Sequence, residues 1–188
     1  MVGREQFDLA GLLSSQPIPV AARLRPPPPA AEALCLLTSL EDVRAATRRA
    51  AGSAQRLMSI YTADLEPEVY DQPAFLEIVK RFVLSRSFAK VRVLLHEPLH
   101  LIGNSNRFVA MARRLTSYIE IRVVVPAYQG RQSAMLIADE KAIVYRTRAA
   151  NWDGVAGFNQ PPVARLHREE FDQMWVASQP DDERRALD

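Results

Sequence analysis

QSAMLIADEKAIVYRT, residues Gln132–Thr147, is the most informative stretch of this chain. Ser133–Ala138 and Ala142–Tyr145 are apolar runs parted only by Asp139, Glu140 and Lys141, a pattern that predicts a β-hairpin. Upstream, Arg56–Thr62 (RLMSIYT), Lys90–Leu95 (KVRVLL) and Ile119–Val125 read as three further strands. Helical spacing fills the intervals. Thr38 and Glu41 have capping-box spacing ahead of Leu40, Val43 and Thr47, which predicts a helix to about Ala54. Asp71 can cap a second helix, with Phe75, Ile78, Val79, Phe82 and Val83 on one face. Asn104 or Ser105 can start a third, carrying Phe108, Met111, Ala112 and Leu115. A last helix from about Pro161 presents Val163, Leu166, Phe171, Met174 and Trp175.

Alternating strands and helices, closed by a hairpin and a helix, predict an α/β fold. Its sheet is expected to be mainly parallel with a late hairpin, and helices should cover both faces. Ligands in such sheets collect beyond the carboxyl ends of the strands, which directs attention to Tyr61–Leu65, His96–Pro98, Pro126–Arg131 and the residues after Tyr145.

Composition narrows the class. With 188 residues, 48% hydrophobic and 24% charged, the chain suits one globular domain. Residues 1–33 stand apart: Pro17, Pro19 and the run Pro26–Pro29 favour extended backbone, so they read as a flexible proline-rich arm. The domain is expected over 34–180, with a frayed tail at 181–188. A net charge of +2 makes no general case for nucleic acid. The single cysteine, Cys35, excludes an internal disulfide and reads as a small buried hydrophobe within Leu34–Leu37. No signal-peptide pattern opens the chain, and no apolar stretch approaches the roughly 20 residues of a membrane span. The expected location is the cytoplasm, without membrane association.

Few side chains offer chemistry. His96 and His100 have the spacing of a helical metal pair, but Pro98 between them breaks a helix, so both read as turn or surface residues. His167 reads as a solvent-facing or boundary residue of the last helix, and Ser133 as a core or hairpin residue. Asp64, Glu66, Glu68 and Asp71 read as a solvated, helix-capping loop. With no second cysteine, no carboxylate cluster at ligand spacing and no glycine-rich phosphate loop, no metal and no cofactor are expected. The charge is uneven: residues 107–148 hold eight cations (Arg107, Arg113, Arg114, Arg122, Arg131, Lys141, Arg146, Arg148) against Glu120, Asp139 and Glu140. Of these, Arg122, Arg131 and Arg146 fall on strands or loops near the expected ligand end, as candidates to bind an anion. An ion pair with Asp139 across the hairpin is the alternative for Arg146.

The order of elements and the late motif resemble one half of a phospholipase D-like enzyme over about residues 56–178. Active members carry His-x-Lys-x4-Asp on a strand, then a Gly-Ser or similar pair, then Phe-x3-Trp near a helix end. Here Gln132 stands at the histidine position, Ala134 at the lysine position and Asp139 at the aspartate. Arg146 and Thr147 take the Gly-Ser place, and Phe171 and Trp175 supply the aromatic pair. YTADLEP (Tyr61–Pro67) and FDQMW (Phe171–Trp175) are also similar to a bacterial group of such degenerate domains. The resemblance implies that the lost histidine was the nucleophile or acid and the lost lysine steadied the phosphate oxygens. Glutamine cannot attack phosphorus, and alanine supplies no charge. The resemblance therefore implies a non-enzymatic interaction or accessory module, working with a protein partner or as a homodimer. Anion or nucleic-acid binding through Arg122, Arg131 and Arg146 is the alternative, and an enzyme using other residues is the third reading.

Overall fold

The computed structural model describes residues 33–97 and 106–178. The proposed arm at 1–33, apart from Ala33, and the proposed tail at 181–188 lie outside these residues. So do Pro98, His100, Asn104 and Ser105.

Among the described residues seven strands form one sheet in the order β1-β7-β6-β5-β2-β3-β4. The strands are β1 (Cys35–Leu37), β2 (Leu57–Thr62), β3 (Lys90–Leu95), β4 (Ile119–Val123), β5 (Ala134–Ala138), β6 (Ala142–Arg146) and β7 (Gly154–Gly157). The helices are α1 (Leu40–Ser53), α2 (Pro67–Tyr70), α3 (Pro73–Ser85), α4 (Arg107–Arg114) and α5 (Pro161–Ala177). The α/β class and the hairpin stand, but the sheet is mixed. Only β2–β3 and β3–β4 run parallel. The pairs β2–β5, β5–β6, β6–β7 and β1–β7 are antiparallel. The cause is topological: after β4 the chain returns to the free edge of β2 and meets it head to tail.

Strand alternation divides the core into two layers. Met58, Ile60, Val91, Val93, Leu136 and Val144 face α1, α3 and α4 on one side. Tyr61, Leu94, Met135, Ile137 and Ile143 face α5 on the other, against Ala164, Phe171, Met174 and Trp175. Helices thus lie on both faces. Leu166, expected inward on α5, is exposed, and Ala164 takes its place.

Local signals are displaced by a residue or two. The capping box of α1 is Ser39 with Asp42, one step past the expected pair. The Asp42 N–H donates to the Ser39 hydroxyl at 3.1 Å, and the Ser39 N–H donates to the Asp42 carboxylate at 3.0 Å. Asn106 caps α4, accepting from the Phe108 and Val109 N–H groups. Asp71 ends α2 instead of capping α3, whose N-cap is Gln72, and it pairs with Arg107 at 2.8 Å. Cys35 is exposed: it lies on the edge strand β1, where only Leu37 turns into the core.

Candidate functional site

The sheet brings the ends of β2, β3 and β6 and the start of β5 to one pole. Arg146 ends β6 in phase with Ala142 and Val144, so its side chain falls on the α1 and α3 face. It is 2% exposed. Its cross-strand neighbour is Ala134, whose methyl group leaves the space beside it open to a long side chain. Gly154 admits the stem, since a Cβ there would stand 2.7 Å from Arg146 Cγ and 2.5 Å from the Tyr145 carbonyl oxygen.

The guanidinium is occupied. One terminal nitrogen donates to the carbonyls of Ala149 and Asn151, each at 2.8 Å, and the other donates to the Glu66 carboxylate. The Trp152 ring lies 5.2 Å from Arg146 Cζ. Glu66 is buried as well, and its second oxygen accepts from the Thr62 hydroxyl at 2.8 Å. Burial pushes the Glu66 carboxyl above the usual carboxylate range, against the opposing pull of Arg146 and Thr62. Tyr70, buried beside this pair, has its phenol pushed up by burial first and by Glu66 second. The backbone is shaped to bring Glu66 inward: Leu65 is left-handed at φ 63°, and the Glu66 N–H donates to Asp64 at 3.1 Å. The partner of Arg146 is therefore Glu66, not Asp139, and Glu66 is not part of a solvated loop.

Asp139 lies at the other end of β5. Its carboxylate accepts from the N–H groups of Gln55 (2.8 Å), Arg56 (2.8 Å) and Leu57 (3.0 Å), with φ at 55°. It closes the chain ahead of β2. Gln132 is exposed, its main-chain carbonyl accepting from the Ala149 N–H at 2.7 Å, and Thr147 is exposed.

The three candidate anion-binding arginines do not converge. Arg122 and Arg131 lie on the α5 side of the sheet, across it from Arg146. Arg122 pairs with Glu120 at 2.7 Å, donates to the Trp175 and Ser178 carbonyls, and stacks on Trp175 at 4.0 Å. Arg131 pairs with Glu170 at 3.1 Å.

His96, expected in a turn or at the surface, is 5% exposed and stacks on Tyr61 at 5.2 Å. It shares the α5 face with Tyr61 and Ser133, so the sheet separates it from Ala134. Among the described residues neither ring nitrogen meets a partner at hydrogen-bond geometry. Burial holds its pKa below the ordinary value, and the groups facing it, Glu97, Asp64 and the Ser133 backbone, draw it partly back. A depressed histidine pKa contributes stability that is present above the unfolded value of about 6.5 and lost as pH falls through the folded value. His96→Phe is therefore expected to lose less stability than wild type between about pH 7 and 5. Parallel denaturant titrations across this range would refute this by giving equal slopes.

Of the two readings of His167, boundary and not solvent-facing is the one found: it is half-buried and stacked on Tyr145 at 4.7 Å. Sequence reasoning missed Glu66. The available signal was the phase of Arg146, which placed a cation on a core face and demanded a buried carboxylate.

Solved structures share this architecture at low identity. TrmBL2, an archaeal chromatin protein, superposes at TM-score 0.58 with 17% identity, over 79% of this chain and 54% of that one, so this chain spans about half of its length. Nuc from Salmonella typhimurium, a phospholipase D family member, gives 0.54 with 17% identity over 79% and 97% of the two chains. NucT from Helicobacter pylori gives 0.56 with 15% identity over 79% and 98%. The fold is thus phospholipase D-like. No curated protein matches the sequence. Residues 39–187 match the family described as Domain of unknown function (DUF7931), and the chain belongs to that family.

Proposed function

We propose that this domain is a non-catalytic phospholipase D-like fold that serves as an interaction module. The observation that carries the reading is the saturation of Arg146. The cation stands opposite Ala134, the place where the resemblance puts a catalytic lysine, and its donors go to Glu66, Ala149 and Asn151. A phosphate entering there would have to displace a buried carboxylate from a buried guanidinium, leaving Glu66 unpaired at a cost of several kcal/mol. Gln132, at the histidine position, can hydrogen-bond but cannot form a covalent phospho-enzyme.

The reading predicts no turnover of bis(p-nitrophenyl) phosphate, phosphatidylcholine vesicles or single-stranded DNA by the purified protein. It also predicts that sulfate raises the melting temperature of wild type and of Arg146→Gln equally. Multiple-turnover cleavage lost on Gln132→Ala, or a sulfate response confined to wild type, would refute it. Nucleic-acid binding through Arg122, Arg131 and Arg146 is the weaker reading. The TrmBL2 structure shows a novel mode of DNA binding, which lends it support at the level of fold. The separation of the three arginines by the sheet, each beside its own carboxylate, weighs against it.

A further inference from the structure

The pole opposite Arg146, where α1 and α3 end and β2 and β3 begin, has a different charge balance. Residues 43–63 and 78–96 contain no Asp or Glu but carry nine cations, Arg44, Arg48, Arg49, Arg56, Lys80, Arg81, Arg86, Lys90 and Arg92. Some of these are neutralised elsewhere: Arg44 and Arg48 by Glu41, and Arg92 by Asp172. Arg56, Arg81 and Arg86 have no carboxylate partner among the described residues. The Arg86 guanidinium donates only to neutral groups, the Gln55 side chain at 2.9 Å and the Ser85 hydroxyl at 3.4 Å. Arg56 stands 5.7 Å from the Phe88 ring. Asp139 is engaged by three backbone N–H groups and Glu140 by Arg168, and Glu77, one turn before Arg81 on α3, forms no ion pair with it.

Between α1 and α3 this pole holds a groove of about 280 Å³. Ala51, Gly52, Ile78 and Phe82 line it, and Arg81 and Arg86 border it. Leu84 and Phe88, at and just beyond the end of α3, are 60% and 56% exposed. A Cβ added at Gly52 would meet nothing within 4 Å, so the groove is open there.

We propose that this groove receives an acidic, amphipathic peptide segment of a protein partner. Its apolar side chains would enter between α1 and α3 and cover Phe88 and Leu84, and its carboxylates would meet Arg56, Arg81 and Arg86. Charge complementarity selects the occupant. Arginines presented without counter-charges around an apolar floor match carboxylates flanking apolar anchors. A nucleic-acid backbone offers no aliphatic group for Leu84. The proposal rests on the interaction-module reading and supplies its partner chemistry.

The test selects binders to the full chain from a random peptide display library. Enriched peptides are expected to combine acidic residues with apolar residues at helical spacing. Binding of a synthesised winner should weaken as salt rises and fall roughly tenfold or more in Arg81→Glu/Arg86→Glu, as for arginines at interface centres. Gly52→Glu should do the same, because it places a carboxylate in the groove at an unobstructed helical position, whereas Gly52→Ala should bind like wild type. Melting curves would establish that each variant is folded. Winners without acidic residues, no winner at all, binding unchanged in both charge variants, or tighter binding of poly-dT than of the winner would overturn the proposal. Turnover of a phosphodiester would refute the non-catalytic reading and leave the peptide result standing.

Discussion

Replacing Arg146 with methionine is expected to destabilise the fold by roughly 3–5 kcal/mol, the range for breaking one side of a buried ion pair. For a domain of this size that lowers the melting temperature by roughly 6–20 °C. The loss comes from what remains. Glu66 would keep a buried carboxylate with only the Thr62 hydroxyl, and the carbonyls of Ala149 and Asn151 would lose their donor. Glu66→Gln should also destabilise, since it leaves a buried guanidinium without a counter-charge. The double variant Glu66→Gln/Arg146→Met should lose clearly less than the sum of the singles. Additivity to within about 0.5 kcal/mol would mean the two groups are not coupled. The pH dependence has a definite sign. Burial raises the Glu66 carboxyl, so the folded state keeps that proton to higher pH than the unfolded chain. Its contribution to stability is therefore full below the unfolded value and lost as pH rises through the folded one. Removing Arg146, which draws the value down, should carry that loss to higher pH.

Trp175→Ala is expected to cost a comparable amount, roughly 3–5 kcal/mol, the range for truncating a buried aromatic. Trp175 and Phe171 lie one turn apart on α5, with rings stacked 5.9 Å apart, and both are buried against the sheet. The indole is also the surface on which Arg122 lies at 4.0 Å and Arg92 at 5.3 Å. Truncation would open a cavity and strand the faces of two guanidinium groups. Trp175→Phe keeps most of the packing and should lose much less. An unchanged melting temperature in Trp175→Ala would show that α5 does not anchor its face of the sheet through this ring.

The central strands were legible because they are buried on both faces, which writes them as continuous apolar runs. KVRVLL is β3 to the residue, and the hairpin strands are correct to within a residue or so. β1 and β7 escaped notice for the opposite reason. They have three and four residues, and β7 contains two glycines, too little for any period to emerge. Strand direction is not encoded locally, so the return of β5 to β2 could not be read from either segment. The site was legible as a set of positions and not as contacts. Gln132, Ala134, Asp139 and Arg146 were singled out, but Glu66 is 80 residues from Arg146 in the chain. Counting charge in a window misled in the same way: Arg107, Arg131 and Arg146 meet carboxylates from outside 107–148, namely Asp71, Glu170 and Glu66. Arg56, Arg81 and Arg86, which meet no carboxylate among the described residues, belong to stretches that looked unremarkable in sequence.

The place of β2 in the sheet has a consequence for biosynthesis. One of its neighbours, β3, follows it closely in the chain, but the other, β5, comes only after β4 has been made. The carboxylate that fixes the entry to β2 belongs to Asp139, 82 to 84 residues beyond the amides it holds. As the chain leaves the ribosome, the β2–β3–β4 unit must therefore pass through a stage with one apolar strand edge unpaired, the condition under which nascent sheets pair with the wrong chain. That edge is covered only when Ala134–Ala138 emerges, and Asp139 arrives one residue later to hold the seam shut.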